Sequence, residues 1–246
     1  GRTDYYAKRR ETREDNTKYI PVTEATMNSL RRCAFRMFSA FPEDGLSEDV
    51  YTASWLAIGG TTQLTKQGRR RFGYLSGINA REQPLWARGF YKPGRRIARI
   101  EAFDDRVEEI ARNAHKWNIG VIVGIPHWVQ ITLERILEIH KIEHISEIWP
   151  ELELFVSGGA DYKAYVKSFD RLIGHPIKYM NTYLASEGMF AFQRNAEALG
   201  MQLLLDNGVF YEFVPFNEEN FDDEGNLRKD VKALALNEVE VAKEYA

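Results

Sequence analysis

Apolar residues follow a helical spacing in some stretches of the chain and form short continuous runs in others. Residues 24–41 carry apolar side chains three and four positions apart, which predicts an amphipathic helix with Thr23 as its N-cap. A second stripe of this kind follows Asp104, which we expect to cap a helix. Residues 119–125 are almost wholly apolar, as is typical of a strand covered on both faces in a parallel sheet.

Turn signals separate further elements in the middle of the chain. Pro126 stands where a helix is expected to begin, because proline is favoured at the first helical position. The alternating residues 151–156 end at Gly158 and Gly159, and another helix is predicted over residues 161–173. Helices and strands that alternate in this way predict an α/β fold with right-handed crossovers.

The last part of the sequence has a different pattern. Apolar runs at 201–205 and 209–214 flank Asp206, Asn207 and Gly208, and Asn-Gly between such runs is a strong β-hairpin signal. We therefore expect a mixed, mostly parallel sheet flanked by helices over residues 1–200. A more antiparallel, hairpin-rich β region is expected over residues 201–246.

Composition and charge are those of an ordinary soluble protein. The chain has 246 residues and a net charge of −3, so it has no overall basic field that would attract nucleic acid. Residues 61–83 are polar and predict a loop, in which Arg69, Arg70 and Arg71 are expected to be solvated.

Cellular location is suggested by cysteine content and by the apolar stretches. The single cysteine, Cys33, can form no internal disulfide, which favours a reducing compartment. No apolar stretch approaches the roughly 18 residues of a membrane span, and no secretory signal is recognisable. We expect a cytoplasmic protein with neither a membrane nor nucleic acid as a partner.

The first segment with candidate chemistry covers residues 155–161, Phe-Val-Ser-Gly-Gly-Ala-Asp. Gly158 and Gly159 follow a predicted buried strand, and glycine allows the backbone to approach a flat ligand closely. Ligands of open α/β sheets bind beyond the carboxyl ends of the strands. A tight strand-to-helix turn without a ligand would explain this segment equally well.

The second segment covers residues 181–188 and follows a strand predicted at 177–180. Tyr183 could stack on a base and Ser186 could bind a phosphate oxygen. Glu187 could hold Mg²⁺, a hard cation that takes carboxylate and phosphate oxygens. A surface turn with a capping Ser-Glu pair is the alternative interpretation.

Together, and in this order, the two segments resemble those of adenylate-forming enzymes. Further segments resemble one family in particular, the auxin-responsive (Gretchen Hagen) acyl-acid amido synthetases, and especially its bacterial branch. These segments are KYIPVT at 18–23, GIPHW at 124–128, IWPEL at 148–152, YLASEG at 183–188 and GVFYEFVP at 208–215. The resemblance runs from Thr3 to the last residue. It covers only part of a full family member, so we expect the central part of the large N-terminal domain, without the small C-terminal domain.

The resemblance implies an activity. A carboxylic acid would be activated by ATP with Mg²⁺ to an acyl-adenylate, and an amino acid would then displace AMP to form an amide. The implied adenine-binding residues are Gly158, Gly159, Ala160 and Tyr183. Ser186 would contact phosphate and Glu187 would bind the metal. Pro126, His127 and Trp128 would lie near the pocket of the acyl acid.

One departure from the family concerns the phosphate loop that precedes residues 18–23. Residues 9–17 read Arg-Arg-Glu-Thr-Arg-Glu-Asp-Asn-Thr, and only Thr12 keeps the pattern of the family. Glu11 replaces a glycine, which adds a negative charge near the phosphates and removes a close backbone approach. Nearby arginines would offset this in part. The loop therefore leaves open an altered use of ATP or an impaired enzyme.

Three functions are consistent with the sequence. The first is an ATP-dependent acyl-acid amido synthetase. The second is an acyl-CoA ligase, against which the family-like context of Tyr211, Glu212 and Phe213 argues. The third is a non-catalytic protein that binds a nucleotide or an acyl group, which Glu11 would favour.

Overall fold

The structure, a computed structural model, describes residues 3–10 and 17–246. It contains two compact units, Gly1–Asn207 and Gly208–Ala246. The strands are β1 Tyr5–Arg10, β2 Thr17–Val22, β3 Ser54–Ile58, β4 Thr65–Gln67, β5 Arg70–Gly73, β6 Tyr91–Lys92, β7 Ile119–Gly124, β8 Leu154–Gly158, β9 Lys178–Ala185, β10 Gly188–Phe192 and β11 Gln202–Leu203. The α-helices are α1 Glu24–Ala40, α2 Asp49–Thr52, α3 Leu75–Arg81, α4 Arg95–Ala98, α5 Phe103–Asn113, α6 Pro126–His140 and α7 Val166–Ile173.

The main sheet lies in the first unit. Within the described residues it has seven strands in the order β11-β10-β9-β8-β7-β3-β6. Strands β6, β3, β7, β8 and β9 are parallel to one another, whereas β10 is antiparallel to β9 and β11 is antiparallel to β10. The expected mixed, mostly parallel sheet is thus confirmed.

Both faces of the main sheet are buried. Successive residues of β8, Phe155 and Val156, belong to two different hydrophobic clusters, because neighbouring side chains of a strand point to opposite faces. One cluster includes residues of α5, α6 and α7, and the other includes residues of α1. This two-sided cover explains why β7 and β8 are apolar almost without interruption.

Helix α1 begins where the sequence predicts. The Thr23 hydroxyl accepts a hydrogen bond from the backbone N–H of Thr26 at 3.1 Å, and the Thr26 hydroxyl accepts one from the Thr23 N–H at 3.4 Å. This reciprocal pair satisfies N–H groups that the helix itself cannot bond. The buried face of α1 consists of Met27, Leu30, Cys33, Met37 and Ala40.

A second sheet, not predicted from the sequence, lies in the first unit as well. In the part of the chain that is described, it has four strands in the order β2-β1-β5-β4. Its aromatic and basic side chains contact one another. The rings of Tyr6 and Phe72 stack with centroids 5.3 Å apart, and the Arg70 guanidinium lies 5.5 Å from the Tyr6 centroid. The prediction of a loop is therefore wrong for Arg70 and Arg71, which lie in β5.

Two other boundaries differ from the sequence prediction. The N-cap of α5 is Ala102, so the prediction that Asp104 caps this helix is wrong. Asp104 lies in the first helical turn, where its negative charge still favours the helix. Strand β9 continues to Ala185, well beyond the strand predicted at 177–180, so Tyr183 is a strand residue.

The predicted hairpin around Asn207 and Gly208 is wrong. Strand β11 pairs with β10, while Phe213 of the following segment bridges Leu234. The buried side chain of Asn207 donates a hydrogen bond to the Met189 carbonyl at 2.8 Å. This contact holds Asn207 against β10 instead of leaving it at the tip of an exposed turn.

The second unit, all of whose residues are described, contains one short 3₁₀ helix, Leu236–Glu238. Its extended segments meet in isolated antiparallel bridges, such as those between Pro215 and Tyr245 and between Phe221 and Leu227. None of the helices that the structure describes in either unit is long and apolar enough to cross a membrane.

The cap of α1 leads to a test of stability. We expect Thr23→Ala to lower the free energy of unfolding by about 1 kcal/mol, because an N–H group of the first turn loses its partner. Urea denaturation would measure the change. Thr65→Ala, at an exposed strand position, is the control. An equal loss in both variants would contradict a specific role of the cap.

Candidate functional site

The carboxyl ends of three neighbouring parallel strands meet at one edge of the main sheet. Gly124 of β7 pairs in register with Ser157 of β8, and Gly158 of β8 pairs with Thr182 of β9. The segments that follow β7 and β8 and the last residues of β9 therefore lie side by side. This edge is where ligands bind in open α/β sheets.

The loop after β8 has an exposed backbone. Gly159 adopts φ = 84°, a left-handed conformation that favours glycine, and both Gly159 and Ala160 are exposed. A Cβ added at Gly159 would find its nearest neighbour, Ile125 Cγ1, at 3.9 Å. The conformation of the backbone, rather than lack of space, therefore explains glycine at this position.

Hydrogen bonds fix this loop to β9. The Ser157 hydroxyl donates to the Ala160 carbonyl at 2.6 Å, and the Thr182 hydroxyl donates to the Ser157 carbonyl at 2.8 Å. The Asn181 side-chain amide donates to Asp161 Oδ1 at 3.2 Å. The loop and the strand therefore form one connected arrangement.

Asp161 is held as a carboxylate by its neighbours. The backbone N–H of Lys163 and then the Asn181 amide lower the pKa of Asp161, because both donate to the charged form. No role was predicted for Asp161, Asn181 or Thr182, although all three lie within the two segments with candidate chemistry.

Tyr183 stands next to this loop with its ring in solvent. It follows Thr182, the residue paired with Gly158, and it is 55% exposed. On β10, the Phe190 ring lies against it with centroids 5.3 Å apart and planes tilted by 45°. The Tyr183 ring is therefore supported by Phe190 but still accessible to a ligand.

Ser186 and Glu187 form the turn between β9 and β10. Ala185 pairs with Gly188, so these two residues make up the whole connection. Glu187 is exposed and Ser186 is half-buried. Because the turn directly follows β9, it lies at the same sheet edge as Tyr183.

Pro126, His127 and Trp128 begin α6 immediately after β7. Pro126 is buried and His127 is exposed. Trp128 packs against the core, with its ring 5.1 Å from that of Phe103. Of the three residues, His127 is thus the one that is exposed to solvent at the sheet edge.

The glycine pair after β3, Gly59 and Gly60, serves close packing. A Cβ at Gly60 would lie 2.7 Å from Tyr74, and the backbone N–H of Gly60 donates to the Ser76 hydroxyl at 3.1 Å.

Thr12 and Glu11 of the altered phosphate loop fall outside the described residues, between β1 and β2.

Similarity to known proteins is found at the level of structure. No protein-family model and no curated protein sequence matches the chain. A structure of AtGH3.15 acyl acid amido synthetase in complex with 2,4-DB matches with a TM-score of 0.69 and 12% identity, over 99% of this chain and 50% of that one. A second structure of GH3.15 acyl acid amido synthetase matches with a TM-score of 0.63 and 10% identity, over 93% of this chain and 48% of that one.

A third solved structure belongs to a different kind of ligase. An open conformation of 2-hydroxyisobutyryl-CoA ligase, in complex with 2-HIB-AMP and CoA, matches with a TM-score of 0.52 and 11% identity. The match covers 85% of this chain and 42% of the ligase chain. The chain therefore spans about half the length of the structures that it matches. At these identities the likeness establishes the fold, which is that of adenylate-forming enzymes, as expected.

The left-handed backbone of Gly159 leads to a test of the loop. We expect Gly159→Ala to lower the free energy of unfolding by about 1–2 kcal/mol, since a Cβ is unfavourable at this φ. Thermal and urea denaturation would measure the loss. Gly200→Ala, where a Cβ meets nothing within 4 Å, is the matched control. Equal stability of the two variants would show that the loop relaxes without cost.

Proposed function

We propose that the chain is the nucleotide-binding part of an ATP-dependent acyl-acid amido synthetase. The observation that carries this proposal is the position of Tyr183 beside the glycine loop. The parallel pairing of β8 with β9 sets Gly158 opposite Thr182, and the exposed Gly159 and the exposed Tyr183 are the next residues of the two segments. An exposed backbone segment and an aromatic ring at the carboxyl edge of a parallel sheet suit a purine base.

Glu187 and Ser186 would act on the phosphates. Mg²⁺ is commonly held in proteins by one or two carboxylates together with substrate phosphates. Glu187 is an exposed carboxylate at the sheet edge and would supply one such ligand. Bound Mg²⁺ would neutralise phosphate charge. The Ser186 hydroxyl would donate a hydrogen bond to a phosphate oxygen.

The reaction would proceed in two steps. A carboxylate oxygen of the acid attacks the α-phosphorus of ATP, the bond to pyrophosphate breaks, and an acyl-adenylate forms. The nitrogen of an amino acid then attacks the acyl carbon, loses a proton and displaces AMP. In this proposal Pro126, His127 and Trp128 lie on the side of the site where the acid binds, and His127 is the residue exposed there. The contribution of the protein is mainly orientation and electrostatic stabilisation.

The other two candidate functions differ in testable ways. An acyl-CoA ligase would transfer the acyl group to coenzyme A, and the fold is shared with one such ligase. A non-catalytic protein would bind nucleotide without releasing AMP, and the negative charge of Glu11 favours that possibility. Incubation with ATP, Mg²⁺, a carboxylic acid and either acceptor, followed by measurement of AMP and product, separates all three.

Calorimetry tests the adenine site directly. We expect the chain to bind ATP and AMP with Mg²⁺ present. Tyr183→Ala should weaken binding about tenfold or more, since stacking of a base on an aromatic ring contributes about 1–3 kcal/mol. Phe35→Ala removes an aromatic ring of α1 that is 57% exposed, and it should leave the affinity unchanged. Failure of the unmodified chain to bind either nucleotide would refute the adenine site.

The role of Glu187 is tested by comparing affinities with and without the metal. Glu187→Gln should weaken binding of ATP with Mg²⁺ roughly tenfold, as expected when an interaction with a charged group is lost. Binding of AMP without Mg²⁺ should stay the same. Glu197→Gln, at another exposed position, is the control. An unchanged affinity for Mg-ATP in Glu187→Gln would remove Glu187 from the site.

A further inference from the structure

Gln193 is a buried polar residue directly after β10. It is only 4% exposed, and both ends of its side-chain amide are hydrogen-bonded. Its Oε1 accepts from the backbone N–H of Asn181 at 3.0 Å. Its Nε2 donates to the carbonyls of Ala196 and Ala198, at 3.2 Å and 2.8 Å.

The contact between Gln193 and Asn181 replaces a backbone pair. In a hydrogen-bonded pair of a regular antiparallel ladder, the two opposite residues exchange two N–H···O bonds. Here the Gln193 N–H donates to the Asn181 carbonyl at 2.8 Å, but the return bond from Asn181 goes to the Gln193 side chain. The side chain thereby extends the pairing of β9 past Phe192, the last residue of β10.

Gln193 reaches the glycine loop through Asn181. The Asn181 side chain donates to Asp161, which ends the loop after β8. One buried amide is therefore linked to three segments, namely residues 194–198, strand β9 and the loop that carries Gly159. Two of these segments contain the residues proposed to bind adenine.

We propose that Gln193 is a positioning residue for the adenine site. It acts through Asn181, because it fixes the β9 backbone two residues before Tyr183 and so sets the ring against the Gly159 loop. This inference rests on the proposed function, in which that ring and that loop enclose the base. In this role Gln193 would act without touching the base.

Two variants of Gln193, to Met and to Glu, test this role, and Asn207→Leu is the matched control. Gln193→Met keeps the length of the side chain but removes its hydrogen bonds. Asn207→Leu also removes a buried amide bonded to the β10 backbone, and that amide donates to the Met189 carbonyl. We expect Gln193→Met to weaken AMP binding about tenfold, as is common when a supporting hydrogen bond is lost. Asn207→Leu should bind AMP as the unmodified chain does, even where its melting temperature falls equally.

Gln193→Glu makes the AMP affinity depend on pH, and this pH dependence is a readout that a purely structural role would not change. A neutral carboxylic acid can accept from Asn181 and donate to the Ala198 carbonyl, whereas the buried carboxylate faces two carbonyl oxygens. Burial raises the pKa of such a carboxyl group. The AMP affinity of Gln193→Glu relative to the unmodified chain should therefore improve as the pH falls. A ratio that is independent of pH would count against the proposal.

Hydrogen exchange separates this inference from the proposed function. In Gln193→Met, backbone amides of residues 178–187 should exchange faster than in Asn207→Leu. If the unmodified chain binds no AMP, the proposed function fails, and exchange alone then decides whether Gln193 orders β9. The positioning role would be overturned if residues 178–187 of Gln193→Met were as protected from exchange as in the unmodified chain. It would also be overturned if Gln193→Met and Asn207→Leu bound AMP with equal affinity.

Discussion

The parallel pairing of β7, β8 and β9, with both faces buried, is the constraint on which the candidate site depends. A slip of one residue in the register of β8 would turn Phe155 and Val156 toward the wrong hydrophobic clusters. Because that exchange is unfavourable on both faces at once, the register is fixed by packing. The positions of the segments that leave the sheet at its carboxyl edge follow from it, including those of Gly159 and Tyr183.

Beyond the last regular strand pairs, polar side chains rather than backbone pairs make the hydrogen bonds that connect β8, its loop and β9. Ser157 and Thr182 bond carbonyls at the end of β8, and Asn181 bonds Asp161. The hydroxyls of Ser157 and Thr182 give two backbone carbonyls a hydrogen-bond partner, as buried or half-buried backbone groups require. The apolar core thus sets where the edge lies, and a small set of hydrogen bonds sets the shape of the loops there.

The sequence predicted the elements whose burial leaves a clear periodic signal. Helix α1 with its cap Thr23, strand β7 and the start of α6 at Pro126 all emerged in this way. The four-stranded sheet did not, because β4 and β5 are rich in polar residues and lack a continuous apolar run. The end of β9 was missed because Tyr183 and Leu184 are exposed there. The hairpin at Asn207 failed because the tertiary contact with Met189 prevailed over a local turn preference.

The candidate site was only partly visible in the sequence. Its glycines and Tyr183 stand in recognisable segments, and the fold brings these segments together. Nothing in the spacing of residues distinguishes Gln193 or Asn181 as partners, since their contact depends on where β10 ends. The role of Thr12 remains a prediction, because it lies outside the described residues.

The support of Tyr183 by Phe190 has a consequence for the thermodynamics of recognition. A solvent-exposed aromatic side chain normally samples several rotamers, and a ligand that stacks on it must select one. Here the neighbouring ring restricts that choice during folding, so less conformational entropy is left to lose when a base arrives. A smaller side chain at position 190 would therefore weaken stacking, because the Tyr183 ring would lose more conformational entropy when the base binds. The atoms of Tyr183 that touch the base would be unchanged.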